Sequence, residues 1–341
     1  MLRFKLFLIF SLINFSVVFS QIGGNSVYKF LNLPGSAKQT ALGGKVFTGL
    51  NNDIFQPASN PATLNKDMNN RVGVNYSSYL STLNYGNIAY AKKIKKIGML
   101  YAGVSYINYG TFQYADEAGE RNGTFGASES ALILGYAYQI PKSSWKIGIN
   151  TKFIYSSFES FSSSGIATDI GFLYDNKKQG LQTALVFKNI GTQITTYQGT
   201  REKLPFEIDM TFSKTLLHAP LKWFVSLENL QQPKIAFVNT AHSTEDPNGK
   251  VIDENIGLID HVFRHIILGA EIFPRKRFNL RFGYNFRRTS ELSLKSQRFM
   301  SGINFGLGIK FRKFEINYAY GKYNLASNAH FISAIINLNE F

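Results

Sequence analysis

The chain has 341 residues, of which 15% are aromatic, led by 30 Phe and 18 Tyr, and only 17% are charged, against roughly 25% in ordinary soluble domains. Its mean hydropathy of −0.10 excludes a helical membrane protein, since each helical span needs about 20 consecutive apolar residues and no such run follows the N-terminus. The lack of cysteine excludes disulfides, thiolate metal sites and a lipoprotein anchor on an N-terminal cysteine, while the formal charge of +15 names no partner until the charges are located.

Residues 1–20 have the three parts of a secretory signal peptide. Arg3 and Lys5 form a basic start, Leu6 to Phe19 is mainly apolar, and Val18 and Ser20 suit a cleavage site before Gln21. The alternative is a retained membrane anchor. Residues 21–70 are rich in Gly, Asn, Pro and Ala without a period of two, which predicts an irregular, compact N-terminal segment.

From Arg71 onward the pattern changes. Strand-like runs fall near 71–79, 83–92, 97–107, 128–139, 145–156, 165–174, 181–189, 205–214, 221–229, 263–273, 277–287, 300–311, 314–321 and 329–338, fourteen in all. Each has two faces, because successive side chains of a strand point to opposite sides. Phe278, Leu280, Phe282, Tyr284 and Phe286 oppose Asn279, Arg281, Gly283, Asn285 and Arg287. Trp145, Ile147, Ile149, Thr151, Phe153 and Tyr155 oppose Lys146, Gly148, Asn150 and Lys152. Alternation alone also suits a soluble sandwich. Strand length, even strand number and aromatic residues near strand ends point instead to an all-β, 14-stranded antiparallel transmembrane β-barrel over 71–341.

Loop lengths give a second, independent reading. Connections after even-numbered strands are short: Lys93–Lys96, Pro141–Ser144, Asp175–Gly180, Thr215–Pro220, Phe273–Lys276 and Arg312–Lys313. Those after odd strands are mostly longer, including 108–127, 190–204, 230–262 and 288–299. Short periplasmic turns and long outer loops are the rule for bacterial barrels, so both ends of the mature chain are expected in the periplasm. The same parity places Lys92, Lys93, Lys95, Lys96, Lys142, Lys177, Lys178, Arg275, Lys276, Arg277, Arg312 and Lys313 at periplasmic turns. There they would anchor to phospholipid headgroups or dock an acidic periplasmic partner. Nucleic acid is not expected as a partner.

The search for chemistry yields little. No phosphate loop, nucleophile elbow or zinc-protease motif occurs, so no catalytic residue, cofactor or metal is predicted. His261 and His265 fall where a loop should run into the tenth strand, and that spacing on a strand separates metal ligands too far. Thr244 to Gly249 offers acidic groups for Ca²⁺, but Pro247-Asn248-Gly249 reads as turn chemistry in an outer loop. Lys146, Lys152, Glu207, Asp209, Glu228, Glu271, Arg281, Lys310 and Glu315 are expected to face inward and to pair across a plugged lumen rather than line an ion-selective pore. Phe341 resembles the aromatic assembly signal that ends many outer-membrane barrels, although Ile332, Ala334, Ile336 and Leu338 lie on the other phase.

The most specific text is N-terminal. Ser36-Ala37-Lys38-Gln39-Thr40-Ala41-Leu42-Gly43-Gly44, then Asn52-Asp53, then Asn60-Pro61-Ala62, resembles the start of FadL-like barrels. It is similar above all to the PorV/PorQ branch found in the type IX secretion system of Bacteroidetes. Gly23 to Pro34 looks most like the PorQ side of that branch. The resemblance covers about 40 residues by motif and the remainder by architecture. It implies that 21–70 forms a hatch marked by Gly43, Gly44, Asp53, Asn60, Pro61 and Ala62, seated in the outer membrane of a Gram-negative bacterium. It further implies a non-enzymatic member of a cell-surface attachment complex. The partners so implied are PorZ, the sortase-like PorU and the shuttle barrel PorV, with cargo carrying a C-terminal signal anchored to anionic lipopolysaccharide. Loops 108–127 and 230–262 are the expected contact with PorZ. The rival expectation is a FadL-like transporter of hydrophobic small molecules, which needs an apolar pocket above the hatch and a kinked or bulged wall strand.

Overall fold

A computed structural model describes residues 26–80, 82–115, 120–238, 244–245, 251–252, 254–292, 301–323 and 328–341. The signal-like stretch 1–20, Gly23 to Asn25 and the Asp246 to Gly249 turn lie outside the described residues.

Fourteen strands close into one antiparallel barrel. They are β1 (Arg71–Leu80), β2 (Leu83–Ile94), β3 (Gly98–Ala115), β4 (Arg121–Gln139), β5 (Trp145–Phe158), β6 (Phe161–Asn176) and β7 (Leu181–Thr195). There follow β8 (Glu207–Thr215), β9 (Leu221–Leu227), β10 (Ile266–Ile272), β11 (Phe278–Asn285), β12 (Ile303–Lys310), β13 (Phe314–Gly321) and β14 (Ala329–Asn337). Each pairs with its sequence neighbour, and β14 returns to β1 from Arg71↔Asn337 to Ser78↔His330. Closure leaves no strand of the wall without a neighbour on each side, which lets a sheet cross hydrocarbon. No described helix is long and apolar enough to cross a membrane.

The burial pattern decides between barrel and sandwich. On β5, Trp145, Ile149, Phe153 and Tyr155 are each about half exposed, whereas Asn150, Lys152 and Ser156 are at most 1% exposed. Apolar side chains point out and charged ones in, the reverse of a soluble core. The outward band is therefore the lipid-contacting surface.

Several strand ends differ from the sequence reading. β3 and β4 extend into the stretch 108–127 expected as a loop, with Thr111↔Gly126 and Phe112↔Phe125 still paired. Gly110 at φ +87 and a register shift between Asn108 and Gly110 break the period of two there. β7 likewise runs on to Thr195. β11 stops at Asn285, whose side chain accepts the Arg288 N–H at 2.9 Å and caps the short helix Phe286–Glu291. Phe286 and Arg287 thus belong to α4 (Phe286–Glu291) and not to the strand. His261 lies in α3 (Leu258–Arg264) and His265 caps its end, so this pair is helical, not on a strand. The His261 Nδ1 accepts the Ala236 N–H at 3.1 Å, and the His265 Nδ1 lies 2.6 Å from the Glu228 carbonyl oxygen.

The segment before β1 fills the lumen. It contains a 3-10 turn (Lys29–Asn32), α1 (Ala37–Ala41), α2 (Gln56–Ser59) and two further 3-10 turns, Pro61–Thr63 and Lys66–Met68. α1 packs on β11 to β14, and Pro61–Thr63 on β4 to β6. Inward glycines of the wall make room for it. A Cβ on Gly283 would strike the Gly43 nitrogen and the Leu42 carbonyl carbon, and one on Gly148 would strike Pro61 and Ala62. The tiny residues in the strand pattern are clearance for the hatch backbone.

Gly283→Val is predicted to overpack this contact by about 1–3 kcal/mol or more. Thermal unfolding in detergent should fall by several degrees and proteolysis within 26–70 should accelerate, whereas Gly126→Val, with only Gly110 O near at 3.9 Å, should change neither. Equal behaviour of the two variants would contradict the fit.

Candidate functional site

The chemistry of this chain is concentrated where hatch meets wall. Ser36 accepts the Gln39 N–H at the start of α1 and donates its own hydroxyl to Asp53 at 2.7 Å. Asp53 also accepts the Phe55 N–H at 3.2 Å. It is fully buried, and burial pushes its carboxyl above the ordinary carboxylate range despite nearby Lys38. Asn60 takes the extended backbone that a following proline favours. Its side chain accepts the Ala62 N–H at 3.0 Å and donates to the Phe47 carbonyl at 2.7 Å. Gly43 and Gly44 both sit at φ +100, where a side chain is strained. Asp53, Asn60, Pro61, Ala62 and the two glycines thus converge in one buried plug.

Charges tie the plug to the wall. Lys45 reaches Glu207 at 2.8 Å, Glu228 at 3.1 Å and Asp209 at 4.0 Å. Lys38 pairs with Glu315. Asn51 donates to Glu271 at 3.1 Å, and Glu271 also receives Arg281 at 2.9 Å. Lys152 meets Asp169 at 2.8 Å, and Lys146 lies 3.7 Å from Asp175. The inward charges therefore do pair, but much of the pairing runs to hatch lysines and not across the wall. Lys310 is a correction: it is exposed at the barrel rim, and Glu315, opposite it in register, is taken by Lys38.

One feature of the wall was missed. β7 carries a bulge between Lys188 and Ile190, where the register with β6 shifts across Asp169. Lys188 and Asn189 consequently both face inward, with Asn189 at φ 57. Asp169 accepts the Asn189 N–H at 2.8 Å, while the Asn189 amide donates to Asn32 and to the Pro205 carbonyl. The sequence carries the signal as a phase flip, since Phe187 and then Ile190 and Ile194 face out. The device recurs one hairpin later, where Asp209 accepts the Asn229 N–H at 2.9 Å.

At the start of the hatch, Val27, Tyr28, Phe30 and Leu31 pack with Tyr85, Ile107, Ile154 and Leu204. The chain's own apolar side chains thus occupy the lumen at the end from which β3 and β4 extend. The cavity lined by Asn32, Gly44, Lys45, Phe47 and Lys188 measures about 10 Å³, space for roughly one water. Phe341 stands apart from this site. A 3-10 turn (Leu338–Glu340) after β14 brings its ring 6.1 Å from the outward-facing Phe314, with the Lys313 ammonium 4.1 Å from its centre. The turn is the overhang that moves Phe341 onto the outward phase.

Lys45 is the keystone cation. Burial works against its charge, but the carboxylates of Asp209, Glu207 and Glu228 override that and hold the ammonium above its ordinary value of 10.5. Its stabilisation is therefore present at neutral pH and is lost only as pH rises beyond that ordinary value. Lys45→Met should cost about 3–5 kcal/mol by leaving buried carboxylates unpaired. The hatch should then become protease-sensitive at neutral pH, with partial rescue by adding Glu207→Gln. Unchanged protection in Lys45→Met would contradict the assignment.

No family model and no curated protein sequence matches the chain. Solved structures do. The deltaS2S3 mutant of the TodX monoaromatic hydrocarbon channel aligns with a TM-score of 0.53 at 12% identity, over 89% of this chain and 99% of that one. The TodX deltaS2 mutant gives 0.53 at 13%, over 89% and 98%. A Pseudomonas aeruginosa FadL homologue gives 0.48 at 10%, over 89% and 98%. At such identities the likeness concerns the fold. With its closed lipid-facing sheet and lumenal hatch, this chain has the FadL-like outer-membrane barrel fold.

Proposed function

We propose that this chain is a plugged, non-enzymatic scaffold of the outer membrane. It serves the type IX secretion system by holding a cell-surface attachment complex with PorZ, PorU and PorV. The observation that carries the reading is the filled lumen. A transporter of hydrophobic molecules needs an apolar pocket above its hatch, and here the hatch's own Tyr28, Phe30 and Leu31 fill the lumen against Tyr85, Ile107 and Ile154, while Lys45 ties the hatch to Glu207 and Glu228. The N-terminal motif resemblance supplies the identity of the system. The hatch residues Gly43, Gly44, Asp53, Asn60, Pro61 and Ala62 act in this reading through shape and hydrogen bonding, without touching a ligand.

A scaffold needs an outer surface that can be gripped. The ladders to the barrel neighbours end at Asn108↔Asn84 and Ala127↔Phe158, with one further bond from the Glu159 N–H to the Gly126 carbonyl at 3.1 Å, and beyond these the described residues of β3 and β4 pair with each other. Thr111 to Ala115 are exposed on both faces of this ribbon, and Phe112 stacks on Phe125 at 5.3 Å. Among the described residues, no strand pairs with the ribbon's two outer edges beyond Gly126, which makes them a template for strand addition by a partner. This stretch is the proposed seat of PorZ.

Hydrophobic transport is favoured by one observation, the β7 bulge, because a bulged wall strand is where a lateral opening could form. Any such path would have to break the Lys152, Asp169 and Asn189 network.

A tagged chain purified from its native membrane should bring down PorZ. Replacing 111–126 by a tight turn should abolish that recovery while the barrel still migrates as folded. Recovery of a clean barrel without partners, or undiminished PorZ on the shortened barrel, would contradict the proposal.

A further inference from the structure

The long connection between β9 and β10 ends in α3, and this helix is turned inside out for a solvent-exposed element. Leu258, Ile259, Val262 and Phe263 are 83%, 70%, 54% and 48% exposed. Their spacing places them on one stripe of the helix. His261 and Arg264 hold the helix to the protein, while Asp260 caps the helix's own first turn. The Asp260 carboxylate accepts the Gly257 N–H at 2.9 Å, and His261 accepts the Ala236 N–H. Arg264, only 3% exposed, donates to the Phe237 carbonyl at 2.8 Å. An amphipathic helix in water would place these two faces the other way round.

The apolar stripe joins a surface already assigned. Phe263 lies 5.4 Å from Phe286, which meets Tyr284 edge-on at 4.8 Å. Tyr284 is the last member of the outward row Phe278, Leu280, Phe282 and Tyr284 on β11, part of the lipid-contacting band. Phe237 and Val238, 48% and 42% exposed, widen the patch beside α3. His265, against the Glu228 carbonyl, pins the helix end to the rim where β10 begins.

We propose that α3 is an in-plane anchor whose Leu258, Ile259, Val262 and Phe263 face sits among the acyl chains of the outer leaflet. The occupant is lipid, because the stripe prolongs the hydrocarbon band of the barrel without a polar break through Phe286 and Tyr284. In-plane helices bury an apolar face to the depth of the headgroup and acyl boundary. The inference rests on the lipid-facing band alone and is independent of the attachment role. It also separates two outer surfaces: the β3–β4 ribbon for protein, α3 for membrane.

The absence of cysteine makes the test direct. Single variants Ile259→Cys, Val262→Cys and Gln113→Cys, labelled with a small fluorophore, would be placed in phosphatidylcholine vesicles carrying either headgroup-proximal nitroxide lipid or aqueous iodide. Labels at 259 and 262 should be quenched by the nitroxide about threefold more, and by iodide about threefold less, than the label at 113. Iodide quenching at 259 and 262 equal to that at 113, with no preference for the nitroxide, would overturn the proposal. Shielding that arises only when an outer-membrane protein extract is added would overturn it equally, in favour of a protein occupant.

Discussion

Everything in this molecule follows from one constraint: within hydrocarbon, each backbone N–H and C=O must find its partner inside the sheet. Closure of β1 on β14 meets that requirement, and the strand period of two then divides the side chains strictly. Half of them meet lipid and must be apolar. The other half meet the lumen, where charge is tolerated only if it is paired. Lys38 and Lys45 matter for this reason. They carry positive charge on the hatch to Glu315 and to the Glu207, Asp209 and Glu228 cluster on the wall.

Shape and charge act together at that contact. The wall supplies glycines where the hatch backbone approaches most closely, as Gly283 does against Leu42 and Gly43, and Gly148 against Pro61 and Ala62. The hatch supplies its own internal hydrogen bonds, from Ser36 to Asp53 and from Asn60 to Ala62 and Phe47. A plug hydrogen-bonded within itself and fitted to its wall has little reason to leave. The β7 bulge adds to this closure, since it turns Lys188 and Asn189 together toward Asn32 of the hatch.

Much of the barrel was legible because its rule is local. Alternation at Trp145 to Tyr155 and at Phe278 to Tyr284 needs only the sequence, and so does the alternation of loop lengths. The pattern blurred where apolar residues thin out: Phe161 to Gly165 is mostly serine and glycine yet stays in β6, and Gly110 interrupts β3 without ending it. It misled at Phe286 and Arg287, which keep the phase of β11 but follow the helix cap Asn285. Phase also placed Lys310 inside, because parity says which face a residue takes and not how far along the barrel axis it lies. The pairing of Lys38 and Lys45 with particular carboxylates could not be read at all, since it joins residues up to 277 positions apart only through the tertiary fold. Motif resemblance marked the hatch glycines and Asn60-Pro61-Ala62, while their contacts with the wall required the structure.

Whether the lumen is sealed to ions tests the plug on which the scaffold reading rests. The most direct measurement is single-channel recording of the purified protein in planar bilayers at neutral pH. A lumen closed by the Lys45 cluster and the Tyr28, Phe30 and Leu31 packing predicts a silent barrel across the applied voltage range. Steady open-channel current from the intact protein would contradict it.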